Sequence, residues 1–174
     1  VPCILKRTGE DVGFHPIRFR PVEEACGEVS KENCASEAGK GKARRVLLVD
    51  DDQDLLDMWR EILVGGLLGQ PEIQTAVSGA RALRLLMTEA FDLLVCKLRM
   101  PRMNGLELLA VVGQMYSGLR TALLTCETGK QFERFRLQAR ELGVDAFWSM
   151  PASEGESRMF VANVQSLLEG GIKP

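Results

Sequence analysis

From residue 45 onward, short apolar segments that favour β-strands alternate with longer segments that have helical periodicity. Val46-Leu47-Leu48-Val49 is an unbroken apolar run, as expected of a strand that is covered on both faces. Five strand-like and five helix-like segments follow one another in this way, joined by short connections. Strict alternation favours a parallel sheet with helices on both faces, because parallel neighbours need a crossover connection that a helix provides.

The most economical arrangement of these segments is an α/β, flavodoxin-like (βα)5 fold, a doubly wound parallel sheet with strand order 2-1-3-4-5. The predicted strands are 46–49, 73–77, 93–97, 121–125 and 144–149, and the predicted helices are 54–64, 79–89, 104–116, 129–142 and 156–169. From apolar spacing, the side chains expected to face the core are Leu55, Trp59 and Ile62 in the first helix, Leu83 and Leu86 in the second, Phe132, Phe135, Ala139 and Leu142 in the fourth, and Phe160, Val164, Leu167 and Leu168 in the fifth.

The composition changes once, near residue 43, and this change sets the expected domain boundary. Residues 1–43 are rich in Gly, Glu, Lys and Arg without sustained periodicity, so we predict an N-terminal extension or linker there. Residues 44–170 form the predicted folded domain, and residues 171–174 form a tail. The 174-residue chain has 45% hydrophobic content and a net charge of -2, which suits one covered core and gives no electrostatic sign of nucleic-acid binding.

The sequence shows neither a membrane segment nor a metal-binding cysteine motif. The longest apolar stretch, residues 62–68, is far shorter than the roughly 18 residues that a membrane span needs. The five cysteines form no C-x2-C pair with histidine partners, and His15 is the single histidine, which disfavours both a metal site and a disulfide framework. We therefore expect a cytoplasmic protein in which Cys96 and Cys126 are small apolar side chains of strand ends.

The candidate functional residues gather where the predicted strands end. Asp50 and Asp51 follow the first strand, Lys97 ends the third, Thr125 ends the fourth, and Met150 follows the fifth. In open parallel sheets, ligands bind beyond the carboxyl ends of the strands. We therefore expect these five residues to lie near one another at the functional edge of the sheet.

The sequence around these strand ends resembles that of one signalling family. From about residue 45 to 170, the chain is similar to the receiver domain of two-component response regulators. The resemblance depends on loops that match in order and spacing: Val49-Asp50-Asp51, Leu98-Arg99-Met100-Pro101 followed by Asn104-Gly105, Leu124-Thr125, and Phe147-Trp148-Ser149-Met150-Pro151. It implies a role in phosphorelay signal transduction.

The resemblance also implies roles for individual positions. In the receiver family, an acidic pair after the first strand and an acceptor aspartate after the third hold a divalent metal ion. A hydroxyl after the fourth strand and a lysine after the fifth bind the transferred phosphoryl group, and an aromatic residue on the fifth strand responds to it. Asp50 and Asp51 match the acidic pair, Thr125 matches the hydroxyl, and Phe147 matches the switch aromatic.

Two positions depart from the family pattern. Lys97 stands at the phosphoacceptor position, and Met150 replaces the lysine that contacts the phosphoryl group. Because an acyl phosphate requires a carboxylate, we expect Lys97 to be non-functional as an acceptor. Its ammonium should pair with Asp50 and Asp51 and leave a vestigial acidic pocket, in which Mg²⁺ binding is lost or weak. An engineered aspartate-to-lysine change is an alternative origin for Lys97, but it leaves Met150 unexplained.

The sequence therefore predicts a degenerate receiver, or pseudo-receiver, that is not an enzyme and signals independently of phosphorylation. The resemblance implies that a protein partner binds the face made by the fourth helix, fifth strand and fifth helix. The candidate contact residues on this face are Trp148, Arg134, Arg136 and Arg140. Neither nucleic acid nor a membrane is an expected partner.

Two alternatives stay open at this point. The chain can be the receiver fragment of a larger regulator or hybrid kinase. It can also be an enzyme that uses Lys97 as a Schiff-base nucleophile, although the neighbouring carboxylates disfavour the neutral amine that such chemistry needs.

Overall fold

The computed structural model of the chain describes residues 43–170. They contain one five-stranded sheet of order β2-β1-β3-β4-β5, in which all pairs of neighbouring strands are parallel. The predicted flavodoxin-like fold and strand order are therefore confirmed. The extension expected before residue 43 and the tail expected at residues 171–174 lie outside the described residues.

Strands and helices alternate throughout the described part of the chain. The strands are β1 (Arg45–Val49), β2 (Glu72–Ala76), β3 (Leu93–Lys97), β4 (Arg120–Thr125) and β5 (Ala146–Ser149). The helices are α1 (Gln53–Gly66), α2 (Gly79–Thr88), α3 (Gly105–Met115), α4 (Gly129–Glu141) and α5 (Glu154–Glu169). None of the helices between residues 43 and 170 is long and apolar enough to cross a membrane.

The central strands are buried on both faces, which explains their unbroken apolar runs. Val46 and Leu48 of β1 point to the cluster that includes α1 and α5. Leu47 and Val49 point to the opposite cluster, which includes α2 and α3. Successive side chains of a strand alternate between faces, so β1 contributes to both cores.

The inward face of α1 differs by one row from the prediction. The buried residues are Leu56, Trp59 and Leu63, whereas Leu55 and Ile62 are only partly buried at the margin of the same cluster. The apolar face of α1 is several rows wide, and spacing alone does not show which row lies in its centre. The predictions for α5 are confirmed, because Phe160, Val164, Leu167 and Leu168 are all buried.

The fourth helix is less buried than its apolar spacing indicates. Within α4, Ala139 is the buried residue, while Phe132 and Phe135 are half-buried. Leu142 is 42% exposed and caps the helix instead of facing the core. Its predicted inward position is wrong, because the helix ends one residue earlier and Leu142 belongs to the turn that leads to β5.

Candidate functional site

The sheet register brings Asp50 and Lys97 together. In the β1–β3 pair, Val49 lies opposite Cys96, so the next residues along each strand, Asp50 and Lys97, are neighbours at the carboxyl edge. The predicted convergence of these side chains therefore follows directly from the parallel pairing.

The Lys97 ammonium lies between two carboxylates. Its Nζ atom is 2.8 Å from Oδ1 of Asp50 and 2.8 Å from Oδ1 of Asp51. The Asp50 side chain is 5% exposed, that of Lys97 20%, and that of Asp51 35%. The backbone N–H of Asp52 also donates to Oδ1 of Asp50 over 2.9 Å. Every charged group of this cluster therefore has a partner, as the cost of burying a charge requires.

Burial and charge act against each other on the pKa values of this cluster. Partial burial disfavours the Lys97 ammonium, but its hydrogen bonds to Asp50 and Asp51 outweigh that effect and raise its pKa. Burial raises the pKa of Asp50, although the hydrogen bond from Lys97 opposes this shift. Asp51 is more exposed, so the Lys97 ammonium prevails over its desolvation and lowers its pKa. The amine of Lys97 is thus held in its charged form at neutral pH.

The donor set of this cluster does not suit a divalent ion. A magnesium site needs several oxygen ligands with octahedral geometry. In this chain, the Lys97 ammonium already contacts one carboxylate oxygen of Asp50 and one of Asp51. Among residues 43–170, no group of three or more acidic, histidine or cysteine side chains is placed to hold a metal.

Thr125 and Met150 lie side by side at the ends of β4 and β5. The Thr125 side chain is buried, and its Oγ1 accepts a hydrogen bond of 3.0 Å from the N–H of Glu127. The N–H of Met150 donates to the Thr125 carbonyl over 2.7 Å, and Sδ of Met150 is 3.7 Å from Sγ of Cys126. The prediction that Cys126 is a small apolar side chain inside a strand end is wrong, because Cys126 lies beyond β4 and is exposed. Cys96 is buried as predicted.

Phe147 and Trp148 point to opposite faces of β5 and are both half-buried. The Phe147 ring is 4.9 Å from that of Phe132 on α4, in an edge-to-face arrangement. The Trp148 ring is 5.9 Å from that of Phe160 on α5 and packs against the α1–α5 core. Each aromatic therefore couples the edge strand to one of its flanking helices.

The three candidate arginines of α4 are exposed. Arg136 is engaged within the helix, because its Nη2 is 2.7 Å from a carboxylate oxygen of Glu133. Arg134 and Arg140 also point to solvent, so the basic part of the expected partner face is accessible. Trp148 belongs to the same edge of the domain but is largely covered by α5.

Sequence reasoning missed a contact between two loops of this edge. Arg99, in the loop after β3, places Nε 2.5 Å from Oε1 of Glu127, in the loop after β4. Its guanidinium carbon also lies 5.3 Å from the ring centroid of Phe135 on α4. The only sequence signal was indirect, because Arg99 and Glu127 closely follow Lys97 and Thr125 at adjacent strand ends.

The comparison with protein families decides the assignment. Residues 46–158 match the family model described as the response regulator receiver domain. The chain belongs to the response regulator receiver family. Receivers are modules of two-component signalling and are typically non-enzymatic.

Among curated proteins, the chain is 30% identical over 124 residues to the transcriptional regulatory protein CpxR of Escherichia coli K12. That match covers 71% of this chain and 49% of CpxR. The chain is 38% identical over 86 residues to the transcriptional regulatory protein GlrR of the same strain, covering 48% of this chain and 18% of GlrR. It thus spans less than half the length of either relative.

Solved receivers share the fold. A CheY-like receiver domain protein from Methanospirillum hungatei JF-1 matches with a TM-score of 0.64 and 23% identity. The match covers 74% of this chain and 95% of the archaeal protein. At this level of identity, the likeness supports the architecture alone.

Proposed function

We propose that this receiver is a pseudo-receiver, which signals in a two-component or phosphorelay system through protein–protein interaction and without being phosphorylated. The observation that carries the proposal is the position of the Lys97 ammonium, 2.8 Å from each of Asp50 and Asp51. In this proposal Lys97 stands where the family has its acceptor aspartate, and the two acids are the remainder of the metal pocket.

Lys97 lacks the chemistry of a phosphoryl acceptor. An acyl phosphate forms on a carboxylate oxygen, and Lys97 offers only a nitrogen. The raised pKa of Lys97 keeps this nitrogen protonated, so it has no lone pair for attack on a phosphorus atom. The same shift disfavours a Schiff-base enzyme, because that chemistry also starts from the neutral amine. Asp92 is no substitute acceptor, since it precedes β3 at the opposite edge and accepts a hydrogen bond from the N–H of Arg45.

The charge of Lys97 disfavours a divalent metal ion beside Asp50 and Asp51. At about 4 Å and an effective dielectric constant of about 20, two unit charges interact by roughly 4 kcal/mol. Exchanging an aspartate for a lysine beside a divalent ion replaces an attraction by a repulsion and therefore makes the gross Coulomb energy less favourable by roughly 16 kcal/mol. If a quarter of that difference survives screening and relaxation, magnesium affinity falls on the order of a thousandfold.

Met150 lacks a charge that could contact a phosphoryl group. In the proposal, this residue takes the place of the lysine that contacts the phosphoryl group in the family. Its thioether offers no positive charge and is engaged with Cys126 at 3.7 Å. Two phosphoryl-handling positions have thus lost their function, which supports the loss of phosphorylation as a whole.

We place the partner surface on the face made by α4, β5 and α5. Arg134 and Arg140 are exposed there, and arginine is enriched at protein interfaces. Trp148 is half-buried beneath this face, so it supports the surface and offers only part of its ring to a partner. The relatives CpxR and GlrR are more than twice as long as the segments matched here, which also supports a receiver that belongs to a larger regulator or hybrid kinase.

Phosphorylation is tested by incubating the protein with acetyl phosphate and Mg²⁺ and recording its intact mass. The wild type should gain no phosphoryl group. Lys97→Asp restores a carboxylate without a lysine at position 150, so we expect weak labelling, and Lys97→Asp/Met150→Lys should be labelled more strongly. A phosphoryl adduct on the wild type that disappears in Lys97→Ala would contradict the proposal.

The partner face is tested by affinity capture from lysate of the source cells. Proteins retained by the wild type should be lost with Arg134→Ala/Arg140→Ala and weakened with Trp148→Ala. Arg81→Ala is the matched control, because Arg81 is an exposed arginine on α2, outside the proposed face. Equal loss with the control variant would show that the retention is non-specific.

A further inference from the structure

Arg99 joins three parts of the functional edge. It lies in the loop between β3 and α3, and its Nε contacts Oε1 of Glu127 at 2.5 Å in the loop between β4 and α4. The same guanidinium covers the ring of Phe135, with 5.3 Å from its carbon to the ring centroid. We call these two contacts the Arg99 bridge. A single side chain thereby contacts both the β4–α4 loop and α4 itself.

The start of α4 has little stabilisation of its own. Its N-cap, Thr128, makes no side-chain capping hydrogen bond, unlike the N-caps of the other four helices. The first backbone contact of the helix, from the N–H of Phe132 to the Thr128 carbonyl, is long at 3.4 Å. A missing N-cap hydrogen bond weakens a helix start, so contacts from outside the helix contribute more to its position.

The β4–α4 loop is also held from its inner side. The hydroxyl oxygen of Thr125 accepts a hydrogen bond from the N–H of Glu127, and Thr125 is buried. Glu127 is therefore fixed through its backbone by β4 and through its side chain by Arg99. The side chain of Glu127 is 24% exposed and that of Arg99 is 66% exposed. The ion pair is therefore shielded from water mainly on its Glu127 side.

We infer that Arg99 is a positioning residue that holds the β4–α4 loop and the first turns of α4 in one arrangement without any phosphoryl group. The inference deepens the proposed function and rests on it, because a receiver that is never phosphorylated needs another link between the β3 end and α4. The Arg99 bridge supplies this link from protein side chains alone. The partner face on α4 is then presented constitutively.

The bridge should have a local effect of modest size. Exposed ion pairs and exposed cation–π contacts are individually weak. Their joint removal should therefore raise the opening equilibrium of the loop and the first helical turns about 3- to 10-fold, without global unfolding.

Hydrogen exchange followed by mass spectrometry tests the bridge on the unphosphorylated 174-residue chain. In Arg99→Ala, amides of residues 126–135 should exchange about 3- to 10-fold faster, while those of β1 and α1 keep their wild-type rates. Arg102→Ala is the matched control, because Arg102 is an exposed arginine of the same loop and has no ion pair among the described residues. Equal exchange in Arg99→Ala and the wild type would overturn the inference.

Two further variants separate a bridge from a general loss of charge. Glu127→Gln should raise the exchange rate in the same segment. The double variant Arg99→Ala/Glu127→Gln should exchange no faster than Arg99→Ala, because the two changes remove the two partners of the same contact. Arg99→Lys should restore only part of the protection, since an ammonium lacks the planar surface that covers Phe135. Additive effects of Arg99→Ala and Glu127→Gln would contradict the bridge.

These measurements also distinguish the inference from the proposed function. Exchange is read on protein that carries no phosphoryl group, whereas acetyl phosphate labelling reads the acceptor chemistry. A labelled wild type with the expected exchange pattern would leave Arg99 as a positioning residue and reject the pseudo-receiver. An unlabelled wild type with unchanged exchange in Arg99→Ala would reject the bridge alone.

Discussion

At Lys97, one side chain both fills the acidic pocket and compensates its charge. The Asp50 carboxylate is only 5% exposed, so without a cation it would be a buried charge beside a second acid. Such a charge is costly to leave unpaired, while the pair itself gains little once desolvation is included. The stability of the domain should therefore depend on Lys97 far more than on an exposed lysine.

This dependence is measurable by urea denaturation at neutral pH. Lys97→Met should lower the free energy of unfolding by about 2–3 kcal/mol, below the full cost of breaking a buried pair because Lys97 is partly exposed. Lys130→Met is the control, since Lys130 is exposed at the start of α4, and it should change stability by less than about 0.5 kcal/mol. Equal effects of both substitutions would show that the Lys97 ion pairs do not compensate the buried acid.

The contacts of individual residues could be predicted from the sequence only for residues that lie at the ends of strands. The proximity of Lys97 and Asp50 was predictable from the strand order, because both residues stand at the carboxyl ends of strands that this order makes neighbours. The register, which sets them side by side, comes from the structure. The contact between Arg99 and Glu127 joins two loops 28 residues apart, and a sequence shows neither the direction of a loop nor the reach of its side chains. The same limit applies to Cys126, which lies one residue beyond β4 and turns outward.

At the level of helices and strands, the predicted types are all confirmed and the bounds differ by one or two residues. The difference with the clearest cause is at β5, which begins at Ala146 and not at residue 144. The N–H of Val144 donates to the Ala139 carbonyl, so Val144 still belongs to the turn that ends α4. Apolar character alone does not separate such a turn residue from a strand residue.

The start of α3 provides a test of packing between a helix and the strand ends. A Cβ atom on Gly105 would lie 2.5 Å from the Lys97 carbonyl oxygen and 2.5 Å from a methyl carbon of Leu123. Because one of these neighbours is backbone, Gly105→Ala should cost about 1–3 kcal/mol in the free energy of unfolding.

Gly65 is the matched control for this substitution. It lies in α1, and a Cβ atom there would meet nothing within 4 Å. Gly65→Ala should therefore stabilise the protein by about 0.5 kcal/mol through helix propensity. Both values come from the same urea titration. If Gly105→Ala left the free energy of unfolding unchanged, the β3–α3 loop could shift at little cost, and this close approach would not fix its position.

At the scale of the whole molecule, we propose that residues 44–170 are the complete folded unit. The five-stranded sheet has two covered faces, and a hydrophobic cluster packs on each of them. A polypeptide of residues 44–170 should unfold in one cooperative transition, within about 0.5 kcal/mol of the 174-residue chain. Loss of cooperativity, or a much lower midpoint in circular dichroism, would show that residues outside this range complete the core.

The central claim is that the Lys97 ammonium takes the place of a metal ion, and magnesium-dependent stability tests it most directly. About 10 mM Mg²⁺ stabilises a protein by about 1.4 kcal/mol when the dissociation constant is about 1 mM. Lys97→Asp, which restores three carboxylates, should show a gain of this order over sodium chloride of equal ionic strength. The wild type should show none. A wild type that magnesium stabilises as strongly, with the gain lost in Asp51→Asn, would contradict the account.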